Sequence, residues 1–156
     1  MSDTTDKTDT ADLGEVTYTR VHNAPRELVF ECMTTPEHLT EFWGPTGTTT
    51  PLDGIKIDLR PGGIFETAMV NDASGERYVM TGEYTVVDPP ARLGWREPGP
   101  AGGIETTVTF TDLGDGRTEV VIHQVNLPAM YRTPEAQAGF QTSLDRFAAY
   151  LATLTA

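Results

Sequence analysis

The chain has 156 residues, 38% of them hydrophobic, with six Phe, five Tyr and two Trp, enough for one folded domain with a core of its own. Its net charge is -12, with Lys7 and Lys56 the only lysines beside nine arginines, which excludes nucleic acid and anionic membrane as expected partners. Cys32 is the sole cysteine, so no internal disulfide forms, and no apolar run reaches membrane-spanning length.

Residues 1–14 are rich in Thr and Asp and nearly devoid of apolar side chains, which predicts a disordered acidic tail. Four aspartates against Lys7 give it a charge of -3, leaving -9 on the domain expected over residues 15–156. The N-terminal segment is polar and has no apolar signal stretch, so a cytoplasmic location is expected. Residues 15–22 alternate as a first strand. Asn23 is placed to cap a helix with Pro25 in its first turn and residues 26–33 as its body. Cys32 falls in that helix between apolar neighbours, which predicts a buried structural thiol. Thr35 and Pro36 start a second short helix over residues 37–43, stopped by Gly44-Pro45.

Strands follow. Residues 48–59 read as one, broken near Asp53-Gly54. Residues 64–70, 78–87 and 92–97 are separated by turn-rich clusters, and 104–111 pairs with 118–125 across Leu113-Gly114-Asp115-Gly116. Residues 134–154 then form a helix about 30 Å long at ~1.5 Å per residue. Its stripe is Phe140, Leu144, Phe147, Leu151 and Leu154. The class is α+β, in the order β-α-α-β6-α. The long helix has to bury its stripe, and the strands offer the only large surface.

Period-two alternation sorts the faces. Phe65, Thr67 and Met69 share the side expected to meet the helix. So do Met80, Gly82, Tyr84 and Val86; Leu93 and Trp95; Thr106, Val108 and Phe110; Val120, Ile122 and Gln124. Glu66, Thr81, Glu83, Thr85, Glu105 and Glu119 fall on the solvent side, with Val79 and Val121 as apolar exceptions there.

The chain resembles the START-like (SRPBCC) superfamily, in the branch related to the C-terminal domain of the activator of the ninety-kilodalton heat-shock protein ATPase. The resemblance is carried by Ala24-Pro25 after the first strand, Phe42-Trp43-Gly44-Pro45, Leu59-Arg60-Pro61-Gly62-Gly63, Gly82-Glu83-Tyr84, Val87 to Leu93 and Leu144 to Leu151, in that order. It implies a helix-grip fold: a curved antiparallel sheet wrapped on the C-terminal helix, with an internal cavity that binds apolar or amphipathic small molecules. Some members of the superfamily are cyclases, aromatases or hydrolases, and the branch name suggests a co-chaperone. Two positions depart from the relatives: Phe140 stands where many carry Trp, and Gln124 where many carry His.

The expected ligand-binding set is Trp43, Phe65, Thr67, Met69, Met80, Tyr84, Trp95, Thr106, Phe110, Gln124, Phe140, Leu144 and Phe147: an apolar wall with sparse polar points. Loops 44–49, 71–75 and 98–103 are expected to border its mouth. His22, His38 and His123 lack ligand spacing, and no serine sits in a nucleophile elbow, so no metal, cofactor or catalytic residue is assigned. Asp58 or Glu105, if turned inward, would add an acid, because a desolvated carboxylate gains a raised pKa. The first expected partner is thus a small apolar molecule, with a cyclase-like enzyme and a protein-binding domain as alternatives.

Overall fold

A computed structural model describes residues 12–99 and 102–155. Strand β1 (Gly14–His22) leads into helices α1 (Arg26–Thr34) and α2 (Pro36–Phe42). Seven strands follow: β2 (Thr48–Thr49), β3 (Lys56–Ile57), β4 (Ile64–Asn71), β5 (Arg77–Asp88), β6 (Arg92–Glu97), β7 (Ile104–Gly114) and β8 (Arg117–Leu127). Helix α3 (Pro134–Thr155) closes the chain. The order is β-α-α-β7-α because residues 48–59 make two short strands. Pro51 cannot donate to a ladder, and a 3-10 turn at Leu52–Gly54 separates them.

All strands belong to one antiparallel sheet in the order β1-β8-β7-β6-β5-β4-β2, with β3 also on β4. The sheet curves around α3, the helix-grip arrangement. The β7–β8 turn uses Asp115 and Gly116, both at positive φ (58° and 72°), the backbone that a tight hairpin with the right twist requires.

The inner face is built in rows. Tyr18 pairs with Ile122, which pairs with Val108, which pairs with Leu93, and all four are buried. Val16, Gln124, Thr106, Trp95 and Tyr84 form the next row. One expected assignment is overturned here. A bulge between Tyr84 and Val86 inserts Thr85, so the alternation changes phase. Val87, not Val86, packs on the core beside Leu93, while Val86 meets Gly94 on the outer face. On that outer face Val79 is 60% exposed, a true surface apolar residue.

Helix α3 begins at Thr133, whose hydroxyl accepts the Ala136 N–H at 3.1 Å, with Pro134 in the first helical position. Leu144, Phe147 and Leu151 are buried. The apolar stripe ends one turn earlier than its spacing predicts: Leu154 is 40% exposed. Helices α1 and α2 plug the gap between the sheet and the C-terminal half of α3. Phe30 meets Phe110 edge-on at 5.3 Å, and Phe42 lies 4.5 Å from Phe147. Asn23 does not cap α1: the helix starts two residues later, Pro25 holds the cap position, and no side chain bonds there. Cys32 is fully buried and burial pushes its thiol up to about 11, so it stays protonated and inert at neutral pH.

Tyr84 carries a testable consequence. It stacks on Phe65 at 5.4 Å, and its buried hydroxyl has no hydrogen-bond partner among the described residues. An unsatisfied hydroxyl costs about 1–3 kcal/mol. Tyr84→Phe is therefore expected to raise stability by about 1 kcal/mol, read from the urea midpoint. A loss of stability would mean that the hydroxyl is satisfied in solution.

Candidate ligand cavity

Between the inner sheet face and the N-terminal half of α3 lies a cavity of about 380 Å³. Its floor is Met33, Phe42 and Phe147, where α1, α2 and α3 meet. Tyr18, Val108, Val120, Ile122 and Trp95 form the sheet wall. Phe140 covers it from the helix, stacked on Tyr18 at 4.3 Å and 16°. Tyr131 stands at one end, half-exposed in the 3-10 turn Ala129–Tyr131 that precedes α3.

The loop at Gly44-Pro45 is tied to the helix. Arg146 donates to the carbonyls of Gly44 and Pro45 at 2.8 and 3.0 Å, and the Thr46 N–H donates to Thr142 at 3.1 Å. Across the cavity, Arg20 of β1 donates to Gln141 Oε1 at 2.7 Å and to Asp145 Oδ1 at 2.9 Å. These bonds pin both flanks of α3, so the hollow is held open by the frame rather than closed by collapse of the helix.

Ten of the thirteen expected binding residues line this cavity: Trp43, Thr67, Met69, Met80, Trp95, Thr106, Gln124, Phe140, Leu144 and Phe147. Phe65, Tyr84 and Phe110 do not. They point to the inner side as alternation requires, but Trp43 and Trp95 lie over Phe65 (5.5 and 5.0 Å), and Phe30 covers Phe110, so all three are packed core. Polar points are few. Gln124 Nε2 donates to Thr106 Oγ1 at 3.3 Å, and the fully buried Thr67 hydroxyl has no partner among the described residues. His123, one residue before Gln124, faces outward and bonds Glu15 at 3.0 Å.

Sequence reasoning missed four polar lining groups, Glu97, Arg20, His22 and Ser143, besides the tyrosines Tyr18 and Tyr131. The inward carboxylate is neither Asp58, which pairs with Arg60 at 2.7 Å, nor Glu105, which faces Arg96 at 3.5 Å. It is Glu97 at the end of β6, and burial raises its pKa. The available signal was its phase: Leu93, Trp95 and Glu97 alternate onto one face. Gly103 fixes this end of the strand. Its φ is 97°, and a Cβ there would collide with the Glu97 carbonyl. The 98–103 loop expected at the mouth lies partly outside the described residues, at 100 and 101.

His22 is buried beside Phe147, edge-on at 5.1 Å. Burial, reinforced by the Arg20 charge, lowers its pKa, so it is neutral at physiological pH. The unfolded chain then takes up a proton more readily than the folded one. Stability from this residue is complete above the ordinary histidine value of about 6.5 and is lost as pH falls from there toward the lowered value. A His22→Gln variant is expected to show a shallower fall of the urea midpoint between about pH 7.5 and about pH 5.5 than the parent chain. Equal slopes in the two proteins would contradict this. Among the described residues no group of three or more His, Cys, Asp or Glu is placed to hold a metal ion, and no helix is long and apolar enough to cross a membrane.

A curved antiparallel sheet, a long C-terminal helix laid across it and a lined hollow between them define a helix-grip protein. The chain belongs to the Activator of Hsp90 ATPase homolog 1-like protein family, which it matches over residues 23–152. A Chromobacterium violaceum protein is 27% identical, over 86% of this chain and 95% of its own, with a TM-score of 0.75. The AHSA1 protein of Silicibacter pomeroyi is 26% identical, over 89% and 98%, with a TM-score of 0.71. An HSP90 activator of Plasmodium falciparum is 21% identical, over 89% and 96%, with a TM-score of 0.65, a likeness of fold. No curated protein matches the chain.

Proposed function

We propose that residues 15–156 bind an apolar or amphipathic small molecule non-covalently between sheet and helix. The observation that carries this reading is a cavity of about 380 Å³ whose wall is mostly aromatic and aliphatic, with a few converging polar groups. Trp43, Met69, Met80, Trp95, Phe140, Leu144 and Phe147 would supply apolar contact, at ~0.8 kcal/mol per buried methylene. Thr67, Thr106 and Gln124 would orient the polar end. Phe65, Tyr84 and Phe110 would serve from behind, as the packing that keeps the wall rigid. The acidic chain suits a cytoplasmic protein that avoids nucleic acid and anionic membrane surfaces.

The two tryptophans of the chain both line the cavity, 6.2 Å apart, so their fluorescence reports on it directly. Titration with fatty acids, fatty amines and alcohols, sterols, flavonoids and polyketide-like aromatics is expected to give a saturable change for at least one class. A folded protein with no response to any class would overturn the reading and favour a protein partner, which the family and the Plasmodium falciparum relative suggest. The inward carboxylate of Glu97 favours one further reading, a cyclase-like enzyme in the same cavity. Mass analysis of a compound that binds, before and after long incubation, separates it from pure binding.

A further inference from the structure

We propose, resting on the cavity-binding reading above, that Glu97 is the polar anchor of the site and that the ligand carries a basic nitrogen on an apolar body: an amphipathic amine, bound as its cation.

The argument begins with what surrounds the carboxylate. Among the described residues Glu97 is the only acidic side chain in the lining, and it makes no hydrogen bond or ion pair with any of them. Two outer-face carboxylates of the sheet are matched, Glu66 with Lys56 at 3.6 Å and Glu105 with Arg96 at 3.5 Å. Arg96 is adjacent in sequence, but it pairs with Glu105 on the outer face and is turned away by alternation.

The basic side chains of the lining, Arg20 and His22, are both on β1. Strands β8 and β7 stand between β1 and β6. Three strand spacings of ~4.8 Å put these strands about 14 Å apart along the ladder. Arg20 is moreover committed to Gln141 and Asp145, and His22 is neutral at physiological pH. Tyr18 and Tyr131 also line the cavity, and a phenol is never a cation.

A half-buried carboxylate to which no cation is paired among the described residues is unfavourable. Burial alone already shifts Glu97 toward its protonated form. A ligand ammonium would supply the missing charge and a charge-assisted hydrogen bond, while its apolar body fills the wall of Met80, Trp95 and Ile104. The net charge of -12 concentrates cations around the protein and repels fatty-acid anions. A fatty-acid carboxylate would in addition face Glu97 with a like charge.

The test uses decylamine, decanol and decanoate, matched in chain length, titrated against the full chain and followed by tryptophan fluorescence. Decylamine is expected to bind about tenfold or more tightly than decanol, with decanoate weakest. Glu97→Gln, which keeps the shape and removes the charge, is expected to weaken decylamine about tenfold and leave decanol within about twofold. Glu83→Gln, the same charge change on the solvent face, is expected to change neither, which separates anchoring from general attraction to an acidic surface. Equal binding of the three compounds, or a Glu97→Gln protein that holds decylamine as well as the parent, would overturn the inference and leave the cavity reading standing. Failure of all three compounds, together with the sterols and aromatics, would overturn both.

Discussion

Phe147→Ala is expected to destabilise the protein by about 3–5 kcal/mol, the range for removing a buried aromatic ring. The ring is 4% exposed and joins three elements. It meets Phe42 of α2 at 4.5 Å and His22 of β1 at 5.1 Å, and it anchors the middle of α3. It also floors a cavity that already exists. Removing it enlarges a hollow that the frame holds open, so the surroundings have little means to collapse into the space. The cost should therefore fall in the upper half of that range. The check is the urea midpoint, with the slope of the transition unchanged between the two proteins. A loss below about 1 kcal/mol would show that the helix relaxes inward, and that the cavity is not fixed by its frame.

Ser143→Trp is expected to do the opposite: little harm to stability and a large loss of binding. Ser143 is a small half-buried residue of α3 that faces the cavity between Phe140 and Phe147. An indole there has space to occupy and apolar surface to bury. Stability is expected to change by no more than about 1–2 kcal/mol, because gained burial offsets overpacking. The ligand then competes with the indole for one volume, and its affinity is expected to fall about a hundredfold, ~2.7 kcal/mol. Calorimetry reads this best, since the new tryptophan would confuse fluorescence. An affinity within threefold of the parent would place the ligand outside the cavity.

Much of this was legible in the residues. The spacing of Phe140, Leu144, Phe147 and Leu151 marked the helix and the face it buries, because a stripe of that width has to be covered. Alternation put Thr67, Thr106 and Gln124 on the inner face correctly, since strands β4, β7 and β8 keep their phase through those positions. It failed at Thr85, where a bulge shifts the phase without any glycine to signal it. Alternation also gives the side of a sheet but not the depth. Phe65 and Phe110 share a face with cavity residues, yet other rings cover them, and only the packing of α1 and of Trp43 decides that. Glu97 was hidden by its type: a carboxylate at a strand end reads as solvated, although its phase with Trp95 pointed inward. The face of β1 was left unassigned, so Arg20 and His22 went unnoticed.

The central claim is that a small molecule occupies the space between sheet and helix. Amide NMR spectra of the full chain, recorded while titrating decylamine and then the sterols and aromatics, test it most directly. Saturable shifts should gather at Trp43, Thr67, Trp95, Glu97, Gln124 and Phe147, and leave Val79, Glu83 and Glu119 unmoved. Shifts confined to those outer-face residues, or none at all from a well-folded protein, would contradict it.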